Sequence, residues 1–402
     1  MKRSIHLTID NLQTYGFACF HYKNEESLKN SFWNREIEFS VKAEIIEIPK
    51  QLLVELSKVD KVVHSENYII QFDIASIDPV KLLSERAGWN QTPNDLEAMK
   101  THGKNGYVLA TYHHENQDIP LGSGLSLPVS DDMSWIGMIL VHPELRRQGI
   151  ARSIMNASLE HARLVQNKSI VGLDATPQGK QVYDSLGFVD SYKIWRSDIC
   201  TTQDQQSIHG VELKSFVSDS VEKYLKRKNN SERFPIAELL AKLPDSKNIM
   251  AESDGVVIGF AMSRPGRTKP FVGPIIADSE EVALSLLNGV LKHWKSMEFA
   301  HAFIDVPEQH IGQNSIFINE DDNSTSPKRP QISIKPLRSF VRMYQLISDS
   351  EVEENLQKST NEDSIKALEK AKDSYEKTVA YMEKEKQKIL PSMYAIGGPE
   401  MS

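Results

Sequence analysis

The stretch Trp135 to Arg163 reads WIGMILVHPELRRQGIARSIMNASLEHAR, and its parts are a strand, a basic loop and a helix. Trp135 to Val141 is almost wholly apolar, bounded by Asp131-Asp132 before it and His142-Pro143 after it, which suits a strand buried on both faces. Pro143 ends the ladder, having no N–H to offer. Downstream, Ile150, Ile154, Ala157 and Leu164 recur near the helical period, while Glu160 and Arg163 fall elsewhere on the wheel. Between strand and helix, Arg146-Arg147-Gln148-Gly149-Ile150-Ala151 fits the pattern Q/R-x-x-G-x-G/A, in which glycine and a small residue let backbone N–H groups approach an anion closely. Unpaired amides at a helix start, the positive end of its dipole and two guanidinium groups together suit a diphosphate. The spacing is neither a Walker loop nor a Rossmann fingerprint.

Three ordered elements carry a resemblance. The strand ending Ile139-Leu140-Val141-His142-Pro143, the RRQGIA loop and the later Tyr183-Asp184-Ser185-Leu186-Gly187-Phe188 resemble the coenzyme A site of the GNAT N-acetyltransferases, over Tyr68 to Ile199. The resemblance implies an α/β GNAT acyl-CoA N-acyltransferase fold, a mixed sheet flanked by helices. It also implies acetyl-CoA as co-substrate, held by Ile139, Leu140, Val141, Arg146, Arg147, Gln148, Gly149, Ile150, Ala151, Arg152 and Thr176. Thr176 stands seven residues before Tyr183, where the family often bonds the pantetheine arm, and the Tyr183 hydroxyl is expected to protonate the departing thiolate. One departure matters. Many relatives place a catalytic glutamate on the fifth strand, and Val171 occupies that register here, so the general base is unassigned among Asp95, Asp73 and a water chain.

The preceding part of this domain reads as strand Tyr68 to Phe72, helix Pro79 to Arg86, a loop, and strand Tyr107 to Tyr112. The loop Ala87-Gly88-Trp89-Asn90-Gln91-Thr92-Pro93 sets a tryptophan beside two amides and a turn. By resemblance this region borders the acyl-acceptor pocket, which makes Trp89, Asn90 and Asp95 candidate substrate contacts; the other reading of Trp89 is a plug in helix packing. AGWNQT resembles a mark of a tandem-domain GNAT subgroup. His113 and His114 are adjacent on a strand and point to opposite faces, with no third ligand spaced to help, so no metal is expected.

At 402 residues the chain is too long for one ordinary core, and about 150 residues per domain suggests two or three. A net charge of −8 with Lys and Arg spread along the chain argues against nucleic-acid binding. Cys19 and Cys200 are far apart, which fits a reduced setting without structural zinc. MKRSIHLTID lacks the apolar core of a signal peptide, and no run of about 18 apolar residues occurs, so a soluble, cytoplasmic protein without membrane contact is expected.

Residues 1–66 read as a small α/β extension, with strands in Ser4 to Ile9 and Ile37 to Val41 and a helix after Pro49; His21 and His64 stand alone in it. The acyltransferase domain spans 67–200. In it Ser169 to Leu173 makes a strand, and Asp174 to Gly179 turns into a short helix carrying Tyr183. A polar linker, Thr201 to Ser207, leads to a second α/β unit over 207–347: strands Gly255 to Ser263 and Phe271 to Ile276, helix Glu280 to Trp294, strands Ala302 to Val306 and Ser339 to Leu346. The element order repeats that of the first, which suggests a degenerate second GNAT-like domain. Where phosphates would sit it offers Ile276-Ala277-Asp278-Ser279-Glu280-Glu281, whose carboxylates repel a diphosphate, so one coenzyme A site per chain is expected.

After the polar loop at 320–330, residues 348–402 form a charged helical arm. Ile365, Leu368, Tyr375, Val379, Met382 and Ile389 follow a heptad seam broken by Lys372 and Lys386; the arm either docks or dimerises, or is a single charged helix lying on its own chain. Glu362–Lys366 and Asp373–Lys377 add charge pairs, Pro391 stops the helix, and Tyr394 to Glu400 resembles the tail of the tandem subgroup. The function implied is an N-acetyltransferase moving acetyl from acetyl-CoA to a primary amine of a small metabolite or a protein. The alternative is a catalytically inactive coenzyme A-binding regulatory or interaction module.

Overall fold

The computed structural model describes residues 69–72, 74, 76–103, 105–114, 117–201, 210–228, 234–311, 317–319, 332–346, 376, 378–381, 383 and 393–395. The expected extension over 1–66, Asp73, the linker after Thr201, the loop at 320–330 and most of the 348–402 arm lie outside the described residues, as do the side chains of His113 and His114. The chain forms two compact units, Met1–Leu127 with Ile136–Gln166, and Pro128–Trp135 with Asn167–Ser402.

In the first unit, strands β1 (Ile69–Phe72), β2 (Tyr107–His114), β3 (Gln117–Pro128) and the later part of β4 (Met133–Val141) are neighbours in that order. β1 and β2 are antiparallel, with Phe72 opposite Val108, and β2 and β3 are antiparallel, with Tyr107 opposite Leu125. Helices α1 (Asp78–Arg86) and α2 (Pro93–Gly103) precede β2, and α3 (Ile150–Glu160) follows β4. α3 buries Ile150, Ile154, Met155 and Ser158, and its isoleucines join Val108, Ala110, Ile119, Leu121 and Leu145 in one apolar cluster. The close seat of α3 on β3 depends on two glycines. A Cβ on Gly122 would stand 2.6 Å from the Leu140 carbonyl oxygen, and one on Gly124 would stand 2.5 Å from Ile154 Cγ2.

The second unit holds the start of β4, then β5 (Ile170–Ala175), α4 (Pro177–Asp184), β6 (Val189–Thr201), β7 (Glu212–Ser215), α5 (Ser218–Arg227) and α6 (Phe234–Ala241). They are followed by β8 (Ile249–Ser253), β9 (Val256–Arg264), β10 (Phe271–Ala277), α7 (Glu280–Ser296), β11 (Ala302–Pro307), β12 (Phe317–Asn319), β13 (Ile332–Leu346) and β14 (Met393–Ala395). Met133, Ser134 and Trp135 pair in parallel with Ile170, Val171 and Gly172, and from β5 the sheet runs β13, β6, β11, β10, β9, β8, β7. α7 is apolar around most of its girth and buries ten residues, including Leu286, Leu287 and Val290, against Val272, Ile304 and Val306.

β13 does not end the second half of the sheet as a simple repeat would place it. It lies between β5 and β6, while β6 lies between β13 and β11, so the late strand of each half borders the fifth strand of the other. Two buried ion pairs mark the exchange. Arg342 of β13 holds Asp174 of β5 in a bidentate pair at 2.9 and 2.8 Å, and Arg196 of β6 holds Asp305 of β11 at 2.8 and 2.7 Å. Arg342 is 0% exposed and also covers the Trp135 ring at 4.5 Å.

Several elements depart from the sequence reading. β13 begins at Ile332 rather than Ser339, because a bulge between Pro336 and Arg338 hides its alternation. Asp174 and Ala175 belong to strand β5 rather than to the turn before α4. α3 widens into a π turn over His161–Val165, which brings His161 and Ala162 into the interior in place of Leu164. Residues 376, 378–381 and 383 of the arm are helical. There Thr378, 2% exposed, accepts from the Leu346 amide, and Tyr381 meets Tyr344 edge-on at 5.8 Å, so this part of the arm packs on its own chain one step away from the expected Val379 seam. Among the described residues no helix is long and apolar enough to cross a membrane.

Candidate functional site

The basic loop is built from both of its ends. β4 takes a positive φ of 54° at Met138, whose carbonyl accepts from the Ser123 hydroxyl at 3.0 Å; this breaks the regular ladder just before Ile139, Leu140 and Val141. The chain leaves the sheet at His142, whose amide donates to the Leu121 carbonyl, and one tight helical turn, Pro143–Leu145, buries Leu145 as an anchor. Arg146 and Arg147 then stand exposed, and Gln148 is half-buried. Arg147 has φ +67° and Gly149 φ +87°. Glycine is required at 149 for that conformation rather than for space, since a Cβ there would meet nothing within 4 Å.

Gly149 is the N-cap of α3, so no side chain satisfies the first amides of the helix. α1 and α5 likewise have no capping side chain at their N-cap residues, Ile77 and Val217, whereas two other helices do. Thr176 caps α4 by accepting from the Gly179 amide at 3.2 Å, and Ser279 caps α7 by accepting from Val282 at 3.3 Å. Only at α3, compared with α4 and α7, do open amides coincide with two exposed arginines. Gln148 Oε1 is a buried acceptor without a partner among the described residues, and Ile150, Ala151 and Arg152 form the first turn. These residues fit a diphosphate. The equivalent corner before α7 does not: Asp278 accepts from the Tyr224 hydroxyl at 2.9 Å and pairs with Lys228 at 2.7 Å, leaving a satisfied, acid-bearing end.

The loop between α1 and α2 carries the expected acceptor contacts. Trp89 and Asn90 are half-buried, and the Trp89 amide closes α1 on the Ser84 carbonyl at 3.0 Å. Asp95 takes part in starting its own helix. It is 2% exposed, and its Oδ2 accepts from the amide of Thr92 at 2.8 Å and from the Thr92 hydroxyl at 2.9 Å, while its own amide donates to that hydroxyl. This is a capping box that starts α2, and it engages Oδ2 in the start of the helix.

In the second unit, Thr176 and Tyr183 lie at the two ends of α4. The Thr176 oxygen accepts from the helix, which leaves its proton to donate elsewhere. Tyr183 is 8% exposed, folds back over Gly179, where a Cβ would lie 2.9 Å from its ring, and meets Phe188 edge-on at 6.1 Å. Burial pushes its phenol pKa well above the ordinary tyrosine value, so the hydroxyl is a proton donor at neutral pH and not a base. Val171 is 0% exposed, and the Asp174 carboxylate on the same strand is held by Arg342. Among the described residues no cluster of three or more His, Cys, Asp or Glu side chains is placed to hold a metal ion.

Comparison with known proteins agrees with the fold. Residues 88–203 match the model of an acetyltransferase (GNAT) domain, and residues 226–321 match a second acetyltransferase (GNAT) domain model. The uncharacterised N-acetyltransferase YitH of Bacillus subtilis (strain 168) is 22% identical over 250 residues, covering 59% of this chain and 80% of its own. The holothin acyltransferase of Pseudoalteromonas sp. (strain SANK 73390) is 24% identical over 254 residues, covering 61% and 80%. A crystal structure of an assigned acetyltransferase from Pyrococcus horikoshii, 20% identical, superposes with a TM-score of 0.52 over 71% of this chain and 92% of that one, a likeness of fold. The chain belongs to the GNAT acyltransferases, with two such domains in tandem.

Proposed function

We propose that the chain moves an acetyl group from acetyl-CoA to a primary amine, on a small metabolite or a protein, by direct attack. The observation that carries this reading is the uncapped start of α3 behind Gly149, with Arg146 and Arg147 beside it. Arg146, Arg147 and the first α3 amides would hold the diphosphate, and backbone donors over Ile139 to Val141 would polarise the thioester carbonyl. The amine nitrogen bonds to the carbonyl carbon, the carbon–sulfur bond breaks, and Tyr183 gives its proton to the sulfur; the amine proton leaves to a base. Calorimetric titration with acetyl-CoA, followed by thiol release across a panel of amines, tests the proposal: binding with amine-dependent release is expected, and failure to bind would reject it.

A second reading has its own support. Val171 supplies no carboxylate on the fifth strand, and Asp95 and Asp174 are both engaged in buried bonds. A chain that binds coenzyme A tightly and turns over no amine would be a binding module that has lost transfer.

A further inference from the structure

Arg86 closes α1 with its Nη1 2.6 Å from Nε2 of His142, at the root of the basic loop. A guanidinium has no lone pair to accept with, so Nε2 is the acceptor, the imidazole is neutral, and its proton sits on Nδ1. Burial, and then the charge of Arg86, hold the His142 pKa below its ordinary value, in keeping with that state. Two buried arginine pairs among the described residues use a different device. Arg342 and Arg196 are each held by a carboxylate, which fixes the guanidinium and cancels its charge. A neutral imidazole fixes the guanidinium and leaves the charge whole.

Two further observations bear on what the charge is for. His142 is 5% exposed, and its Nδ1 is buried without a hydrogen-bond partner among the described residues. The Leu145 amide donates to the His142 carbonyl, so this residue also sets the path into Arg146 and Arg147. A positive charge and an unmatched donor are thus held at the base of a loop already rich in donors; among the described residues Arg86 makes no ion pair, and the carboxylate that acts on His142 is the exposed Glu144. Such an arrangement costs folding energy that an incoming oxyanion would offset.

We propose that Arg86, aimed by a neutral His142, recognises an oxyanion of the reactants, a phosphate of the acyl-CoA or an acidic group on the acceptor. This rests on reading the loop as the acyl-CoA site. His142 is then a positioning residue.

The test uses the full chain and three variants, each first checked for folding by thermal unfolding. With Arg86→Gln, the Kd of acetyl-CoA should rise about tenfold or more if the anion is a phosphate of the donor. If it belongs to the acceptor, that Kd is unchanged, and kcat/KM falls about tenfold or more for amines carrying a carboxylate or phosphate but not for neutral amines. His142→Glu should lose as much as Arg86→Gln by cancelling the charge, whereas His142→Gln, which keeps a neutral acceptor, should lose less. A purely structural role would make the two His142 variants alike. Arg86→Gln matching the parent in both arms, or equal losses in the two His142 variants, overturns the proposal. Parent protein that fails to bind acetyl-CoA rejects the underlying site reading, and the inference falls with it.

Discussion

Acidification should loosen the first unit through His161, and the size of the effect follows from its surroundings. The ring is 5% exposed, bonds Ser126 Oγ through Nδ1 at 2.7 Å, and stacks on Phe72 with centroids 5.5 Å apart. Burial lowers its pKa from 6.5 to about 4. The native state therefore favours the neutral ring, and below about pH 6.5 the unfolded chain takes up the proton first. Stability from this residue is intact above that pH and is lost as the pH falls toward 4. At about 1.4 kcal/mol per pH unit, the gap sets a ceiling of roughly 3 kcal/mol, of which about 2 kcal/mol is lost by pH 5. Urea unfolding of the parent and of His161→Gln between pH 7.5 and 5 measures it. Other groups titrate in both proteins, so the informative quantity is the difference: the parent should lose about 2 kcal/mol more than the variant. Parallel curves would refute the reasoning, because they would mean that His161 is protonated in the native state at no cost.

Other outcomes are open to direct measurement. Gly149→Val forces a β-branched residue into φ +87°, so acetyl-CoA affinity should drop at least tenfold in a calorimetric titration, with a stability loss of about 1–2 kcal/mol; full affinity would remove the loop from the site. Tyr183→Phe should lower kcat about 100-fold with little change in acetyl-CoA Kd, while a parent-like rate would strike it from the catalytic list. Because its pKa is raised, the parent kcat profile should show no tyrosine ionisation below about pH 10. Asp174→Asn should destabilise the fold by about 3–5 kcal/mol by leaving Arg342 charged and buried, and replacing both partners by apolar residues should recover much of that in urea unfolding.

The local signals in the sequence were legible where periodicity and chemistry agreed. Trp135 to Val141, the RRQGIA corner and the helix carrying Ile150 and Ile154 stand almost where the pattern places them, since each depends on residues within one turn of it. β3 was not legible. Pro120, Gly122 and Gly124 resemble a loop, and their use as room for the Leu140 carbonyl and Ile154 appears only when α3 packs against them. The same holds for Asp95, whose partner is three residues away but whose burial depends on how α2 sits. Arg86 and His142, fifty-six residues apart, carry no spacing that would join them. The ladder order β5, β13, β6 lay beyond reach altogether, because nothing in β13 marks it for a place beside strands so far upstream.

That ladder order has a consequence for how the chain is made. Asp174 waits for Arg342, 168 residues later, and Arg196 waits for Asp305, 109 residues later. During synthesis, β5 and β6 therefore emerge long before their intervening strand exists, and both present unpaired edges in the meantime. Closure through such distant contacts is slow, and it comes late. A chain halted ahead of Ile332 would leave a gap in the sheet between β5 and β6 rather than a shorter protein, so the earlier half of the second unit reaches its native form only after the later half has been built.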